Sequence, residues 1–308
     1  MSEFSNVIGD HGEEAAKILL KKLGWTIKPK FDFPCVFPQE HAPGKSEKRI
    51  HALDSAFSYS SPLFDGVADL IAISSKYSTK PYKEQQSISY REFVNDVDRA
   101  IACLKASDHA NSLRARKSCT SERAKSLLFW LHSGDARESF LTYFENRAKP
   151  SPKFPNAVVD NFRFSFLWGA MDLIDKEAHC RSANWQFAIH DTGHNGIFRS
   201  DSHEERLLPW ELMIGGPLVF RMIDGRERHM IICSPEAFTE EALVHMIDLG
   251  YAHSGRGWAS HTTIAFPDYH ELDHRDVVGA VTSRSATEHG KMEMIVRNLF
   301  TDSPLRGA

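Results

Sequence analysis

Residues 50–77 read IHALDSAFSYSSPLFDGVADLIAISSKY, and this stretch decides the fold of the first half of the chain. Residues 50–60 and 67–77 have the composition of two strands, and the segment between them contains Asp65-Gly66, a dipeptide typical of tight turns. The sequence therefore predicts a hairpin. Because side chains alternate along a strand, Ser74 and Lys76 share one face of its second strand, while Asp54 lies on its first strand.

An amphipathic helix is predicted before the hairpin, at residues 9–24. Its apolar residues recur at helical spacing: Ala16, Leu19, Leu20 and Leu23. Gly24 follows the last of them, as glycine commonly does at the end of a helix. At about 100° per residue, Glu13 lies at the edge of the apolar stripe, whereas Glu14 points away from it. The helix can therefore direct one carboxylate, that of Glu13, into the protein.

The remaining elements of the first half mix strands and helices. A short strand is predicted at 25–27, a buried strand or helix segment at 127–131 and a helix at 135–147. The clearest helix runs from Ser89 to about Ala106, and Ser89 and Glu92 have the form of a capping box at its start.

Basic residues are concentrated over residues 105–125. They are Lys105, Arg114, Arg116, Lys117, Arg123 and Lys125. This run is either a surface that contacts nucleic-acid phosphates or a solvated loop, because phosphate binding requires only clustered lysine and arginine.

Composition excludes several classes of protein. The 308 residues are 42% hydrophobic and 25% charged, which is typical of a globular protein with a buried core. The net charge of −4 excludes a uniformly cationic nucleic-acid binder. The charge is uneven, because residues 1–150 hold 22 basic and 19 acidic residues whereas residues 151–308 hold 15 and 22. A polyanion is therefore expected to meet the first half.

Targeting signals and membrane segments are not apparent in the sequence. No apolar run approaches the ~20 residues of a membrane span, and the first residues lack the pattern of a signal peptide. The five cysteines occur singly, without a CxxC pair or a disulfide pattern. These observations predict a cytoplasmic protein without a membrane association.

The second half follows a proline-rich stretch, KPSPKFP, at 149–155. It indicates a linker, so we expect one domain at 1–150 and another at 151–308. Strand-like runs lie at 157–168, 185–190, 217–223, 229–233 and 261–266, with a helix at 239–249. In the first of these runs aromatic residues alternate, at Phe162, Phe164, Phe166 and Trp168. The second half is therefore predicted to be a mixed α/β domain that serves partner binding, DNA binding or oligomerisation, and no internal repeat is visible.

Two histidines four residues apart, His190 and His194 in HDTGHNG, are poor zinc candidates. Metal binding at that spacing favours a helix face, and the surrounding glycines indicate a strand followed by a loop.

The first third of the chain resembles the PD-(D/E)xK nucleases. The stretch GDHGEEAAKILLKKLGW is similar to their first helix, in which a G-x-x-G-E-x-x-A pattern leads to a Gly-aromatic pair. The matching residues are Gly9, Gly12, Glu13, Ala16, Gly24 and Trp25. The hairpin resembles the family's aspartate strand and its (D/E)xK strand. The resemblance covers roughly residues 9–105 and implies a restriction-endonuclease-like domain, a mixed sheet flanked by helices.

The resemblance also implies roles for three residues. Asp54 becomes the metal-binding aspartate, Lys76 the motif lysine, and Glu13 the helix glutamate that supports the metal or its water. The implied metal is Mg²⁺, with Mn²⁺ able to substitute. Carboxylate oxygens are hard ligands suited to Mg²⁺, and a nearby ammonium stabilises charge that develops on a phosphate.

Ser74 departs from the family pattern, which has Asp or Glu at this place. Serine is a poor replacement for a charged ligand, and some members of the superfamily supply the carboxylate from the following helix instead. Glu92 and Asp96 are the candidates there, and Glu92 has a competing role in the capping box. Asp69 precedes the motif on the same strand but alternates to the face opposite Ser74.

The leading expectation is a Mg²⁺-dependent DNA endonuclease. The overall plan resembles nuclease subunits of bacterial anti-phage systems, which often require a partner protein, so a partner subunit or a homo-oligomer is expected. One alternative is a catalytically decayed nuclease-fold subunit that binds DNA or acts as a scaffold. Another is an assembly module whose acidic second half binds a protein partner.

Overall fold

A computed structural model of the chain describes residues 3–41, 50–84, 87–113, 119–144, 151–189, 206–254, 258–289, 292–299 and 305. None of the helices in this part of the chain combines the length and the apolar character that crossing a bilayer requires. The prediction for His190 and His194 lies outside the described residues.

The first sheet is mixed and has five strands in the order β1-β2-β3-β4-β5, and it runs past residue 150 because its last strand lies at 156–159. The strands are β1 (Lys28–Pro34), β2 (Ile50–Ser60), β3 (Val67–Ser78), β4 (Ser121–His132) and β5 (Asn156–Val159). The pairs β1–β2 and β2–β3 are antiparallel, whereas β3–β4 and β4–β5 are parallel. The predicted hairpin is thus confirmed as β2–β3, and 127–131 is strand rather than helix. The strand expected at 25–27 begins instead at Lys28.

Helices cover the first sheet. They are α1 (Glu3–Lys22), α2 (Ser87–Ala106), α3 (Asp108–Leu113) and the short α4 (Leu141–Phe144). Helix α1 packs on β3, and α2 packs on β3 and β4. Since α2 begins at Ser87, Ser89 lies inside the helix and does not cap it.

The helix predicted at 135–147 is wrong over most of its described part. Residues 135–140 form turns, in which Asp135 accepts the N–H of Arg137 and Ser139 accepts the N–H of Leu141. Such local side-chain bonds to the backbone compete with helix formation.

The second half forms another five-stranded mixed sheet, in the order β10-β9-β8-β7-β6. Its strands are β6 (Asn184–Phe187), β7 (Leu218–Asp224), β8 (Glu227–Cys233), β9 (His261–Phe266) and β10 (Glu293–Asn298). Its helices are α5 (Asn161–Arg181), α6 (Glu240–Ser254) and α7 (Glu271–His289). The pairs β6–β7 and β7–β8 are antiparallel, and β8–β9 and β9–β10 are parallel. The α/β class predicted for both halves is confirmed.

The strand predicted at 157–168 is wrong beyond residue 159. Helix α5 begins after Asp160, whose carboxylate accepts the N–H of Arg163 at 2.9 Å, and it includes the four alternating aromatic residues. This helix is buried on several sides, so its apolar residues show no helical stripe.

One hydrophobic core connects the two sheets. It contains the inner faces of α1 and α5 together with side chains from both sheets, including Ile73 and Phe129 from the first and Phe220 and Ile231 from the second. Helix α5 contacts α1, β4 and β5 on one side and β6 and β7 on the other. The helix that carries Glu13 is therefore held by both halves of the chain.

Candidate functional site

Helix α1 approaches strand β3 closely because residue 12 is glycine. A Cβ atom at Gly12 would lie 2.4 Å from Cβ of Tyr77, far inside van der Waals contact. At the other end of the helix Gly24 adopts φ +84°, a left-handed conformation that favours glycine. These two glycines fix the helix against the strand, and Glu13 comes next to the hairpin as the helical spacing predicts. Glu14 is exposed.

Asp54 is held by the neighbouring strand. Its Oδ2 atom accepts the backbone N–H of Ser75 at 2.7 Å and the hydroxyl of Ser74 at 3.2 Å. The serine that replaces the expected acid thus donates a hydrogen bond to the aspartate. Both bonds orient the Asp54 carboxylate.

Glu13 and Asp54 are neighbouring carboxylates that interact with each other, and they are called here the carboxylate pair. Only 16% of the Glu13 side chain is exposed. Burial raises the pKa of Glu13, and the charge of Asp54 raises it further. Lys30 and Lys17 oppose this shift, but their Nζ atoms lie 3.7 and 3.8 Å from the Glu13 oxygens, beyond hydrogen-bonding distance.

Lys76 comes directly after Ser74 and Ser75, the residues of β3 that donate hydrogen bonds to Asp54. It is half-buried, and its Nζ atom lies 5.8 Å from the centre of the Phe93 ring of α2. At this distance the ring face attracts the ammonium group. Within the described part of the chain, Lys76 donates no hydrogen bond to a carboxylate.

The three candidates for a further carboxylate differ in their surroundings. Glu92 and Asp96 are exposed on α2. Among the described residues, no third His, Cys, Asp or Glu brings a ligand atom within 4.8 Å of both Glu13 and Asp54. Ser74 supplies the neighbouring oxygen instead.

Asp69 belongs to an ion-pair network elsewhere on the sheet, which the sequence did not indicate. The fully buried Asp69 binds Arg123 at 2.9 and 3.0 Å and Lys125 at 2.9 Å. Glu211 completes the network, at 3.2 Å from Arg123 and 2.6 Å from Lys125. Two anions and two cations therefore neutralise each other, and Asp69 does not join the carboxylate pair.

Two residues of the basic run at 105–125, Arg123 and Lys125, belong to this ion-pair network. Lys125 is buried and Arg123 is half-buried, and both bind the carboxylate of Asp69, so their charges are already paired within the protein. Lys105 is exposed. The other three basic residues, Arg114, Arg116 and Lys117, lie outside the described residues.

The carboxylate pair fits a divalent cation. Two neighbouring carboxylates repel each other unless a proton or a cation lies between them. Mg²⁺ is commonly bound by one or two carboxylates, with water and substrate phosphate completing its ligands. Glu13 and Asp54, with the Ser74 hydroxyl beside them, are a donor set of this kind.

The fold is that of the PD-(D/E)xK class, in which a helix packs on an aspartate-bearing hairpin whose second strand carries a lysine. Residues 1–163, more than half of the chain, match the family model described as GAPS4 protein PD-(D/E)XK nuclease domain. The chain belongs to this family, which is associated with antiviral defence. Comparison with curated proteins and with solved structures returned no match.

Proposed function

We propose that the protein is a Mg²⁺-dependent endonuclease that hydrolyses DNA phosphodiester bonds in antiviral defence. The observation that carries the proposal is the half-buried carboxylate pair of Glu13 and Asp54, with Lys76 two residues beyond Ser74 on the same hairpin. Two neighbouring carboxylates are a donor set that favours a bound cation, and the family is a nuclease family. We propose Asp54 and Glu13 as metal ligands and Asp54, Lys76 and Glu13 as catalytic residues.

The residues divide the reaction between them. Asp54, oriented by Ser74 and Ser75, and Glu13 would hold Mg²⁺. The bound ion, for which Mn²⁺ can substitute, supplies Lewis acidity toward the phosphate and lowers the pKa of water. Lys76 would place its ammonium group against a phosphate oxygen, where it stabilises the negative charge that grows as water attacks. Lys17 and Lys30, on either side of Glu13, would attract the phosphate backbone.

Plasmid cleavage with and without Mg²⁺ tests this proposal. We expect Asp54→Asn, Glu13→Gln and Lys76→Met each to reduce the cleavage rate by about 10²–10³-fold, the usual effect of removing a group that stabilises transition-state charge. Glu14→Gln and Lys80→Met are matched controls, because both side chains are exposed near the altered ones. Cleavage that persists in all three site variants would show that the carboxylate pair is not the active site.

A second candidate function is that of a decayed nuclease-fold subunit that binds DNA or acts as a scaffold. Ser74 favours it, because a hydroxyl stands where the family has an acid and no third carboxylate joins the pair among the described residues. The two candidates differ in one outcome. The second predicts DNA binding without cleavage, both for the purified chain and for the complex that it forms with proteins encoded beside it.

The second half is proposed to bind the partner subunit, or a second copy of the chain. Its acidic excess supports this role, since it disfavours contact with DNA. Its described, exposed large apolar residues come from five separate segments: Ile214, Ile223, Val244, Leu272 and Ile295. Polar and charged contacts are therefore expected to contribute much of such an interface.

A further inference from the structure

Four potential metal ligands converge where the segment after β1, the start of β2 and helix α2 meet. Cys35 and His41 lie after β1, His51 is the second residue of β2, and Cys103 lies on α2. All four ligand atoms lie within 4.8 Å of one another. We call this group the Cys₂His₂ cluster. This cluster is not predicted from the sequence, because the spacings of 6, 10 and 52 residues match no familiar zinc motif.

The distances within the cluster are those of a tetrahedron around one zinc ion. Zinc bonds of about 2.3 Å to sulfur and 2.0–2.1 Å to nitrogen give tetrahedral edges of about 3.8 Å between sulfurs, 3.4 Å between nitrogens and 3.6 Å between sulfur and nitrogen. The sulfurs of Cys35 and Cys103 are 3.6 Å apart, and the nitrogens of His41 and His51 are 3.3 Å apart. The three recorded sulfur–nitrogen edges measure 3.2, 3.3 and 3.4 Å.

Hydrogen bonds alone do not account for this convergence. The Nδ1 atom of His41 lies within 3.4 Å of three atoms, the two sulfurs and Nε2 of His51. A ring nitrogen carries either one proton or one lone pair, so it can make only one of these contacts as a hydrogen bond. A cation at the centre satisfies all four atoms at once.

The surroundings match those of a structural zinc site. His41, His51 and Cys103 are buried, at 6%, 1% and 0% exposure. The sulfur of Cys103 accepts the backbone N–H of Val36 at 3.3 Å, a contact that favours a thiolate. The ring of Phe33 stacks on His51 with an interplanar angle of 23°, which fixes the orientation of the imidazole.

We propose that Cys35, His41, His51 and Cys103 bind one structural Zn²⁺ ion. Binding removes the proton from each thiol, so that two thiolates neutralise the dication and two protons are released to solvent. The ion would clip the segment after β1 to helix α2 and to the start of β2. Because His51 is three residues before Asp54 on β2, the clip would also steady the strand that carries the proposed catalytic aspartate. This site is separate from the proposed Mg²⁺ site and does not depend on it.

Elemental analysis of the full-length protein, purified without chelators from zinc-supplemented medium, tests the proposal. We expect about one zinc per chain, with X-ray absorption showing two sulfur ligands at about 2.3 Å and two nitrogen ligands at about 2.0–2.1 Å. The absorption measurement uses the wild-type protein and does not depend on the folding of a variant. A wild-type protein without zinc, or zinc with oxygen ligands only, would overturn the assignment.

Variants sharpen the test. Cys103→Ser should lose most of the zinc, whereas Cys180→Ser, an exposed cysteine, should keep it. Asp54→Asn should also keep the zinc, which separates this site from the proposed catalytic metal. Retention of zinc in Cys103→Ser contradicts the proposal. So does a thiol titration of the denatured, unreduced protein that finds Cys35 and Cys103 joined in a disulfide.

Discussion

The two halves of the chain have the same topology, and they differ at the end of the hairpin that lies away from its turn. This place is called here the hairpin corner. Each begins with a helix, continues with three antiparallel strands, and then adds a helix and two parallel strands: α1 with β1 to β5, and α5 with β6 to β10. In the first half, the end of the hairpin holds the carboxylate pair. In the second, the corresponding end of β7–β8 pairs Leu218 with Cys233, both fully buried.

The corresponding place therefore holds charged side chains in the first half and buried apolar packing in the second. Beside Leu218, the buried guanidinium of Arg163 donates hydrogen bonds to the carbonyl groups of Leu212, Met213, Gly215 and Gly216, at 2.6 to 3.0 Å. In the second half the guanidinium of Arg163 satisfies the carbonyl groups of this loop. In the first half the cations that the structure places against Glu13 are Lys17 and Lys30, whose Nζ atoms lie 3.8 and 3.7 Å away and whose side chains are partly or largely exposed. The comparison teaches that the topology provides a place for a site, and that the balance of charge decides whether a ligand is needed there.

The largest expected effect is a loss of stability that tests the role of Arg163 at the hairpin corner of the second half. Arg163→Met should lower the free energy of unfolding by about 3–5 kcal/mol, because it leaves several buried carbonyl groups without a donor. Urea denaturation measures it, with Arg226→Met, an exposed arginine in the β7–β8 turn, as the control. A loss below about 1 kcal/mol would mean that these carbonyl groups find other donors and that Arg163 is not needed to stabilise this loop.

An intermediate effect, stabilisation by Mg²⁺, tests the carboxylate pair at the hairpin corner of the first half. At a Mg²⁺ concentration 100 times its Kd, the free energy of unfolding of the wild type should rise by about 2.7 kcal/mol, because only the folded chain presents the carboxylate pair. Asp54→Asn should remove this stabilisation and Glu14→Gln should keep it. Equal stabilisation of all three proteins would place the ion outside the carboxylate pair.

The smallest effect is the pH dependence of the same pair. Because the pKa of Glu13 is raised, the folded protein binds more protons than the unfolded chain above the ordinary pKa of glutamate. Stability without Mg²⁺ should therefore fall as the pH rises through that range. The difference in unfolding free energy between wild type and Glu13→Gln, measured across the pH series, isolates this slope. A difference that is constant with pH contradicts the raised pKa.

Much of the first half could be predicted because local patterns determine it. The stripe on α1 and the Asp65-Gly66 turn each act within a few residues, and both are present in the structure. The proximity of Glu13 to Asp54 follows from the helix packing on the hairpin. Their catalytic role stays a prediction.

The errors arose where tertiary contacts override local pattern. Helix α5 lies between two sheets, so its aromatic residues face apolar surroundings on several sides and lose the helical periodicity that identifies surface helices. The pairing of Asp69 with Arg123 and Lys125 joins β3 to β4, 54 and 56 residues apart, and the Cys₂His₂ cluster joins three separate segments. No short-range pattern encodes such contacts.

The shared core has a consequence for how the two halves were inherited. The matched family segment ends at residue 163, but α1 depends on residues far beyond it: Trp25 donates its indole N–H to the carbonyl of Leu208 at 2.8 Å, and Gly24 leaves room for the Arg206 carbonyl, which would lie 2.3 Å from a Cβ. An exchange of the second half between relatives would leave the inner face of α1 without its complement. We therefore expect the two halves to tolerate exchange only together, because substitutions in either half must fit the shared contacts at the end of the helix that carries Glu13.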